Sequence, residues 1–427
     1  MSSKRKKICM FATNDIINDP RVQKEAEIAA KAGFEVVVIG ILSERSKVIE
    51  KKDGYTIVRV KVKIKAFSNI RKAITKKVRQ ALECKNEELV AGKDKIHVKK
   101  KRIILKQKIK MIMRETSMSL RLLIHNNILF REAKKHKFDI CHCNDLDSLL
   151  AGYLLKKKTN CKIVYDAHEL WVEQEPDSSM LWKYFFSKLE QFLIKKADQV
   201  ISVNCSICRI LEEKYKINNA IAVYNAPFLE KSFVHKPKDL RKKFVNKKIV
   251  LYQGRYTFFR GLEQLAKSSE YFSDNIVLVF RGYGEAEKKI KDIVNDLKLQ
   301  DRVFFVDPVP MEEMVLFATD ADIGVIPYLP VSANNLYCTP NKIFEYLMAG
   351  LAVVASDIPE MKKIIVENEL GLVFDPFSPL DIAEKINSLV KDQDKLYNIK
   401  KRSLSIAENK YNWNMEGKKL IKIYNNI

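Results

Sequence analysis

Residues 7–12 form a short apolar run that ends at Asn14 and Asp15, and residues 35–41 form a second such run. Between them Asp19 and Pro20 precede residues 21–32, whose apolar positions recur at helical spacing up to Gly33. An Asp cap, a Pro in the first turn and a closing Gly are helix start and stop signals. The pattern predicts strand, loop, helix and strand, the opening of a doubly wound α/β domain. Further strand-like runs fall at 55–62, 139–143, 162–166 and 199–203, with helical stretches between most of them, and this unit ends near Asn225 and Pro227. A polar, basic connector covers 230–246, after which the pattern restarts. Strands are predicted at 248–252, 276–281, 303–306, 323–327, 352–356 and 371–374, with helices at 261–271 and 285–297. Two α/β domains of similar size are expected, 1–229 and 247–410, without a short-period repeat. Residues 411–427 read as a helix carrying Leu420, Ile421 and Tyr424 on one face.

Composition narrows the class. A chain of 427 residues with 47% apolar and 30% charged residues is expected to be a soluble globular protein whose two domains each bury a core. No window reaches the roughly 18 uninterrupted apolar residues of a spanning helix. The apolar run after the basic residues 1–7 is too short for a secretory signal. Eight cysteines without small-scaffold spacing suggest a reducing cytoplasm.

The net charge of +24 is concentrated: residues 61–137 hold 24 Lys and Arg against 6 Asp and Glu. Within this stretch Lys99, Lys100, Lys101 and Arg102 adjoin apolar residues such as Ile103, Ile104 and Leu105. A basic amphipathic segment at 66–128 can lie on an anionic membrane surface. The plainer reading is a solvated helical excursion whose apolar face packs on its own domain. Nucleic acid is not an expected partner, because no zinc-finger, KH or RNP-type motif is present. The expected location is cytoplasmic, peripheral at the inner face of the cytoplasmic membrane.

The most informative stretch is Asn335-Leu-Tyr337-Cys-Thr339-Pro340-Asn341-Lys342-Ile-Phe-Glu345, ending at Gly350 and followed by the strand-like residues 351–356. Pro340 opens a short helix whose first amides can face an anion, and Glu345 one turn inside can accept hydrogen bonds from a diol. Phosphate and ribose at one site suit a nucleotide. Upstream, Gly254 and Arg255 end a strand and Arg260 precedes the next helix. Arginine forks at such a turn bind phosphate oxygens and offset leaving-group charge. In the N-terminal half a strand delivers Asp166 and His168 to its C-terminal end, where open α/β sheets place ligands. Asp145 and Asp147 have the D-x-D spacing of a metal motif, but Asp145 also reads as a helix cap. Cys141, Cys143, Cys205 and Cys208 could form a zinc site, yet strand alternation puts 141 and 143 on one face opposite His142, so buried thiols are expected.

These motifs resemble glycosyltransferase family 4, retaining enzymes of the GT-B architecture, along nearly the whole chain except residues 66–128. The resemblance implies two Rossmann-like doubly wound domains facing a central cleft, with the donor in the C-terminal one and the 411–427 helix packing back on the N-terminal one. It implies catalytic roles for Arg255, Arg260 and His168, the histidine orienting and stabilising while a donor phosphate oxygen takes the acceptor proton. Gly254, Gly282, Tyr283, Gly284, Val309 and Pro310 would line the nucleotide, and Glu345 would hold its ribose. The family's other glutamate, eight positions earlier, is Tyr337 here, which implies an altered sugar pocket. Asn334, Asn335, Asn341 and Lys342 are candidates to replace it, beside Thr339 and Pro340. Asp145, Asp166 and Glu169 are assigned to the acceptor. Asn14 and Arg21 share that assignment, with helix capping as their plain alternative.

No cofactor and no metal are expected, the nucleotide-sugar being a substrate with UDP favoured over GDP. The acceptor would be a lipid-linked or growing glycan in cell-surface polysaccharide assembly. Two other functions fit less of the motif set: a GT-B nucleotide-sugar 2-epimerase, and a non-enzymatic basic scaffold for membrane or nucleic acid.

Overall fold

The structure, a computed structural model, describes residues 5–62, 95–174, 178–229 and 239–427, with residues 95–102 and 105 as backbone. The expectations for residues 66–94, for the connector at 230–238 and for the side chains of Lys99 to Arg102 lie outside the described residues. By internal contacts the chain groups into two compact units: Met1–Ile201 with Leu211–Ala220 and Ile423–Ile427, and Ser202–Ile210 with Ile221–Lys422.

The first sheet comprises β1 (Lys7–Phe11), β2 (Glu35–Ile41), β3 (Ile49–Lys51), β4 (Tyr55–Val60), β5 (Ile140–Asn144), β6 (Lys162–Ala167), β7 (Gln199–Ser202) and β8 (Ala220–Ala222). Their order is β3-β4-β2-β1-β5-β6-β7-β8, and β3 runs antiparallel to β4 while β1 is parallel to both β2 and β5. A second sheet holds β9 (Lys248–Gln253), β10 (Ile276–Arg281), β11 (Val303–Val306), β12 (Ile323–Ile326), β13 (Ala352–Ser356) and β14 (Gly371–Phe374). It runs β11-β10-β9-β12-β13-β14, all parallel. Every residue of β10, β12 and β13 is buried, as expected of parallel strands covered on both faces. That is why these segments read as unbroken apolar runs in the sequence.

Strand order positions the site. In the second sheet the chain moves outward from β9 through β10 and β11, then returns to the other side of β9 at β12. In the first it makes the same reversal between β1 and β5. Loops leaving the carboxyl ends of strands at such a reversal diverge and open a crevice for ligand. The loops after β9 and after β1 and β5 occupy those places.

The helix Lys95–Ala133 divides the two readings of the basic segment. Toward its end Leu122, Asn126, Leu129 and Ala133 are buried. Asn126 donates to the carbonyls of Leu122 and Asp147 at 2.7 and 2.5 Å and accepts from the Ala151 amide at 2.6 Å. This end packs on its own domain, whereas Ile103, Ile104 and Ile112 are exposed. The last helix, Trp413–Asn426, buries Leu420, Ile423 and Tyr424, so Ile423 replaces the expected Ile421 on its inward face. Within the first unit the Tyr424 hydroxyl lies 2.8 Å from His142 Nδ1, and Lys6 Nζ donates to the Tyr424 and Ile427 carbonyls.

Candidate active site

Three separate stretches of the second unit meet at the end of β9. Gly254 follows β9 with φ 134°, and a Cβ there would lie 3.2 Å from Lys342 Nζ. Gly282, after β10, has φ 149°, and a Cβ there would stand 1.9 Å from the Gly254 carbonyl. The two parallel strand ends lie closely side by side because neither residue carries a side chain. The Arg260 guanidinium stacks 3.8 Å over the Tyr328 ring, and the Lys342 ammonium lies 4.0 Å over Tyr252 and 5.2 Å over Tyr328. Tyrosine faces thus form a floor under both cations, an arrangement that stabilises positive charge while leaving it able to meet an anion.

Lys342 is 8% exposed, and its position at the start of the helix Asn341–Met348 follows from Pro340 at the cap. Burial, reinforced by the neighbouring Arg260 charge and opposed by Glu345, lowers its pKa to about 7. Glu345 stands one turn into the helix and half-buried. Arg255 points outward, 70% exposed, with Glu285 at 3.6 Å. Tyr283 is exposed between Gly282 and Gly284, and its carbonyl accepts from the Tyr256 amide at 2.8 Å.

Around Tyr337 the loop is fixed from its backbone. Asn204 Nδ2 donates to the Tyr337 carbonyl at 2.8 Å and to Thr339 Oγ1 at 3.0 Å. Ser332 caps the short helix Ala333–Leu336, its Oγ accepting from the Asn335 amide at 3.2 Å, and Asn341 Oδ1 accepts from Asn225 at 3.1 Å. Val309 and Pro310 lie in the loop after β11, ahead of a short turn at Met311–Glu313.

In the first unit two of the expected acceptor residues, Arg21 and Asp166, form a buried ionic cluster. Arg21 donates to both Asp166 oxygens at 2.7 and 2.8 Å and lies 3.1 Å from Glu25. At 2% exposure its guanidinium is enclosed by these carboxylates. Asp166, also enclosed, is held well below the usual carboxylate range: burial would raise it, but Arg21 and then His168 outweigh that. His168 lies at the end of β6, 20% exposed, with Nε2 3.1 Å from Asp166 and 3.2 Å from Asn144 Oδ1, and Nδ1 3.4 Å from Asp145. Burial would lower the imidazole pKa, but Asp145 and Asp166 raise it to about 10. That shift favours the charged ring. It can offer positive charge.

Asp145 sits at the cap position of the helix Leu146–Thr159, yet its side chain does not cap; it accepts from the His168 amide at 2.9 Å. Its φ of 58° turns the carboxylate toward that strand end. Asp147 accepts from the Thr13 hydroxyl. Asn14 serves its own turn, accepting from the Ile16 amide and donating to Asp19 at 2.8 Å each, and Glu169 is half-buried beside His168. Cys141 and Cys143 lie 3.8 Å apart on one face, beside Cys9 and Cys161, and burial raises all four thiols. In the second unit Cys205 Sγ lies 3.9 Å from the Tyr224 hydroxyl. Glu25, His142 and Asp166 bring ligand atoms within 4.8 Å of one another. Arg21 already supplies the positive charge among them, which opposes a further cation.

Sequence reasoning missed Glu25, His142, Tyr252 and Tyr328. Glu25 carried one signal, its spacing of four from Arg21 on a helix. The tyrosines carried none beyond their places at strand ends.

Two family descriptions match this chain: Glycosyltransferase Family 4 over residues 108–226 and Glycosyl transferases group 1 over residues 236–407. An uncharacterized glycosyltransferase of Methanocaldococcus jannaschii is 23% identical over 292 residues, covering 66% of this chain and 72% of that one. Sucrose-phosphate synthase from Thermosynechococcus elongatus superposes with a TM-score of 0.72 at 16% identity, covering 99% of each chain. Anabaena HepE, solved in complex with UDP and glucose, gives 0.66 at 13% identity over 99% of this chain and 100% of that one. Fold and matches define the class, a glycosyltransferase enzyme with the GT-B fold. Within that class the two matches support a glycosyltransferase of the family 4 type.

Proposed function

We propose that this enzyme transfers a hexosyl group, with retention, from a nucleotide-sugar to a lipid-linked or growing glycan at the cytoplasmic membrane face, in cell-surface polysaccharide assembly. The observation that carries the donor half is the meeting of Arg260 and Lys342 over a tyrosine floor beside Gly254. Two cations within reach of a side-chain-free strand end suit a diphosphate, and Glu345 on the same helix suits a ribose diol. UDP is the favoured nucleotide, in keeping with the UDP bound to Anabaena HepE.

During transfer the bond from the anomeric carbon to the diphosphate oxygen breaks while the acceptor oxygen bonds to the same face of that carbon. The acceptor proton passes to a diphosphate oxygen. Arg255, Arg260 and Lys342 offset the charge that grows on the departing diphosphate. His168 stabilises charge as an imidazolium, with Asp166 and, behind it, Arg21 fixing the ring. No step calls for a metal, because proton and leaving-group charge are both accounted for.

Among the described residues no helix is long and apolar enough to cross a membrane. The reading therefore puts the enzyme at the bilayer through basic segment 66–128, where Lys106, Lys108 and Lys110 flank the exposed Ile103, Ile104 and Ile112. Titration calorimetry with UDP tests the donor site. Arg260→Ala is expected to weaken binding by about 1.5–3 kcal/mol, the worth of a charge-assisted contact, and the exposed Arg255→Ala by less. Unchanged affinity in both variants would place the donor elsewhere.

A further inference from the structure

The helix Met180–Ile194 turns its acid inward with Trp182 and Phe186, and turns Tyr184, Phe185 and Phe192 outward. Glu190, its single acidic residue, is buried and accepts from the Tyr165 and Tyr215 hydroxyls at 2.7 and 2.6 Å. Met180, Leu181, Tyr184, Phe185 and Phe192 are 48–88% exposed. Helical geometry places these five and Lys188 in one continuous arc of roughly 140°. A contiguous apolar patch of this kind on a water-soluble fold marks a surface that meets something.

Cations frame the patch. The Lys188 ammonium rides 5.6 Å over the Tyr184 ring, Lys196 rides 5.6 Å over Phe192, and Lys195 is exposed between them along the same face. Tyr153 packs its ring against Phe192 at 5.4 Å and lies under Lys157, which carries the cationic aromatic surface onto the helix Leu146–Thr159. At the other end Glu115 accepts from the amide and hydroxyl of Ser179 at 2.5 and 2.8 Å. That link ties the start of this helix to the helix Lys95–Ala133, near Lys106, Lys108 and Lys110.

We propose that this face docks on an anionic lipid bilayer. Its aromatic and aliphatic side chains enter the headgroup boundary, and its lysine stems lie along the surface with their ammonium groups on lipid phosphates. The inference rests on the membrane reading above but assigns apolar insertion to an element outside the basic segment. Charge selects the bilayer over a second copy of this chain: paired copies of the face would set Lys188, Lys195 and Lys196 against their equivalents, with no exposed acid on the helix to meet them.

Cosedimentation of the full chain with vesicles tests the assignment, using equimolar phosphatidylglycerol and phosphatidylcholine against phosphatidylcholine alone. The wild type is expected to partition onto the anionic vesicles. Leu181→Ser combined with Phe185→Ser is expected to lower that partition about tenfold or more, with UDP affinity and melting temperature unchanged. Replacing Lys188, Lys195 and Lys196 by Gln is expected to lower it and flatten its dependence on salt.

Wild-type partition in the serine variant, with loss only when Lys106, Lys108 and Lys110 become Gln, would overturn this face while keeping the basic segment. No partition of the wild type would overturn both, and UDP titration would still judge the donor site separately. A wild-type dimer that the serine variant splits in sedimentation velocity would assign the face to a second copy and overturn the bilayer.

Discussion

Lys342 is a buried ammonium held near the point where it loses its proton. Burial and the adjacent Arg260 bring its pKa to about 7, far below that of a free lysine. A diphosphate beside it would favour the charged form and raise that value again. Between about pH 7 and the higher pKa of the complex, nucleotide binding should therefore take up a proton at this side chain. Titrations of UDP at pH 8 in buffers of different ionisation enthalpy are expected to give different apparent enthalpies. Lys342→Met should remove most of that difference and weaken binding. If the enthalpies agree across buffers for the wild type, Lys342 keeps one protonation state throughout. Arg260, Glu345 and Lys342 were legible in the sequence because their signals are local: a residue just before a helix, or one turn inside it. Glu25 showed only its spacing from Arg21, and His142 showed nothing, since the two meet each other and Asp166 from three elements far apart in the chain.

The close approach of the parallel β9 and β10 ends sets the shape of the candidate donor site. A Cβ at Gly282 would stand 1.9 Å from the Gly254 carbonyl, and Gly282 holds a positive φ, so both space and backbone exclude a side chain. Gly282→Ala should push the turn away from Gly254 and lower stability by about 1–3 kcal/mol. A fall in melting temperature together with weaker UDP binding is the expected result, and an unshifted melting curve would show that the turn yields without cost. Long buried strands such as β10 and β13 were readable directly as apolar runs. β3 and β8 were not: each has three residues and no fully buried one, so neither offers a period long enough to register. The expected helix at 261–271 is in fact Leu262–Ser268 followed by a tighter turn at Ser269–Tyr271, a difference that apolar spacing alone does not distinguish.

Across the whole molecule the division into two α/β units was foreseeable because the pattern of strands and helices visibly restarts near residue 248. Less visible was how the first unit is completed. Tyr424 is fully buried, and its hydroxyl meets His142 Nδ1 at 2.8 Å on the face of β5 opposite the thiols. Tyr424→Phe leaves that imidazole nitrogen buried without its partner, a loss of about 1–3 kcal/mol. Faster amide hydrogen exchange in β1 and β5 is the measurement that checks this, with β9 and β10 unaffected. Equal exchange in both sheets would mean that the hydroxyl adds nothing.

The same contact has a consequence for biosynthesis. Residues 423–427 leave the ribosome after the entire second unit, yet the first unit draws on them for Tyr424 and for the carbonyls that hold Lys6. The domain translated first is thus the one finished last. While the second half is being made, His142 and its neighbours in the first sheet wait without their final cover, so a nascent chain stalled before residue 423 should be more open to proteolysis in its older half than in its newer one.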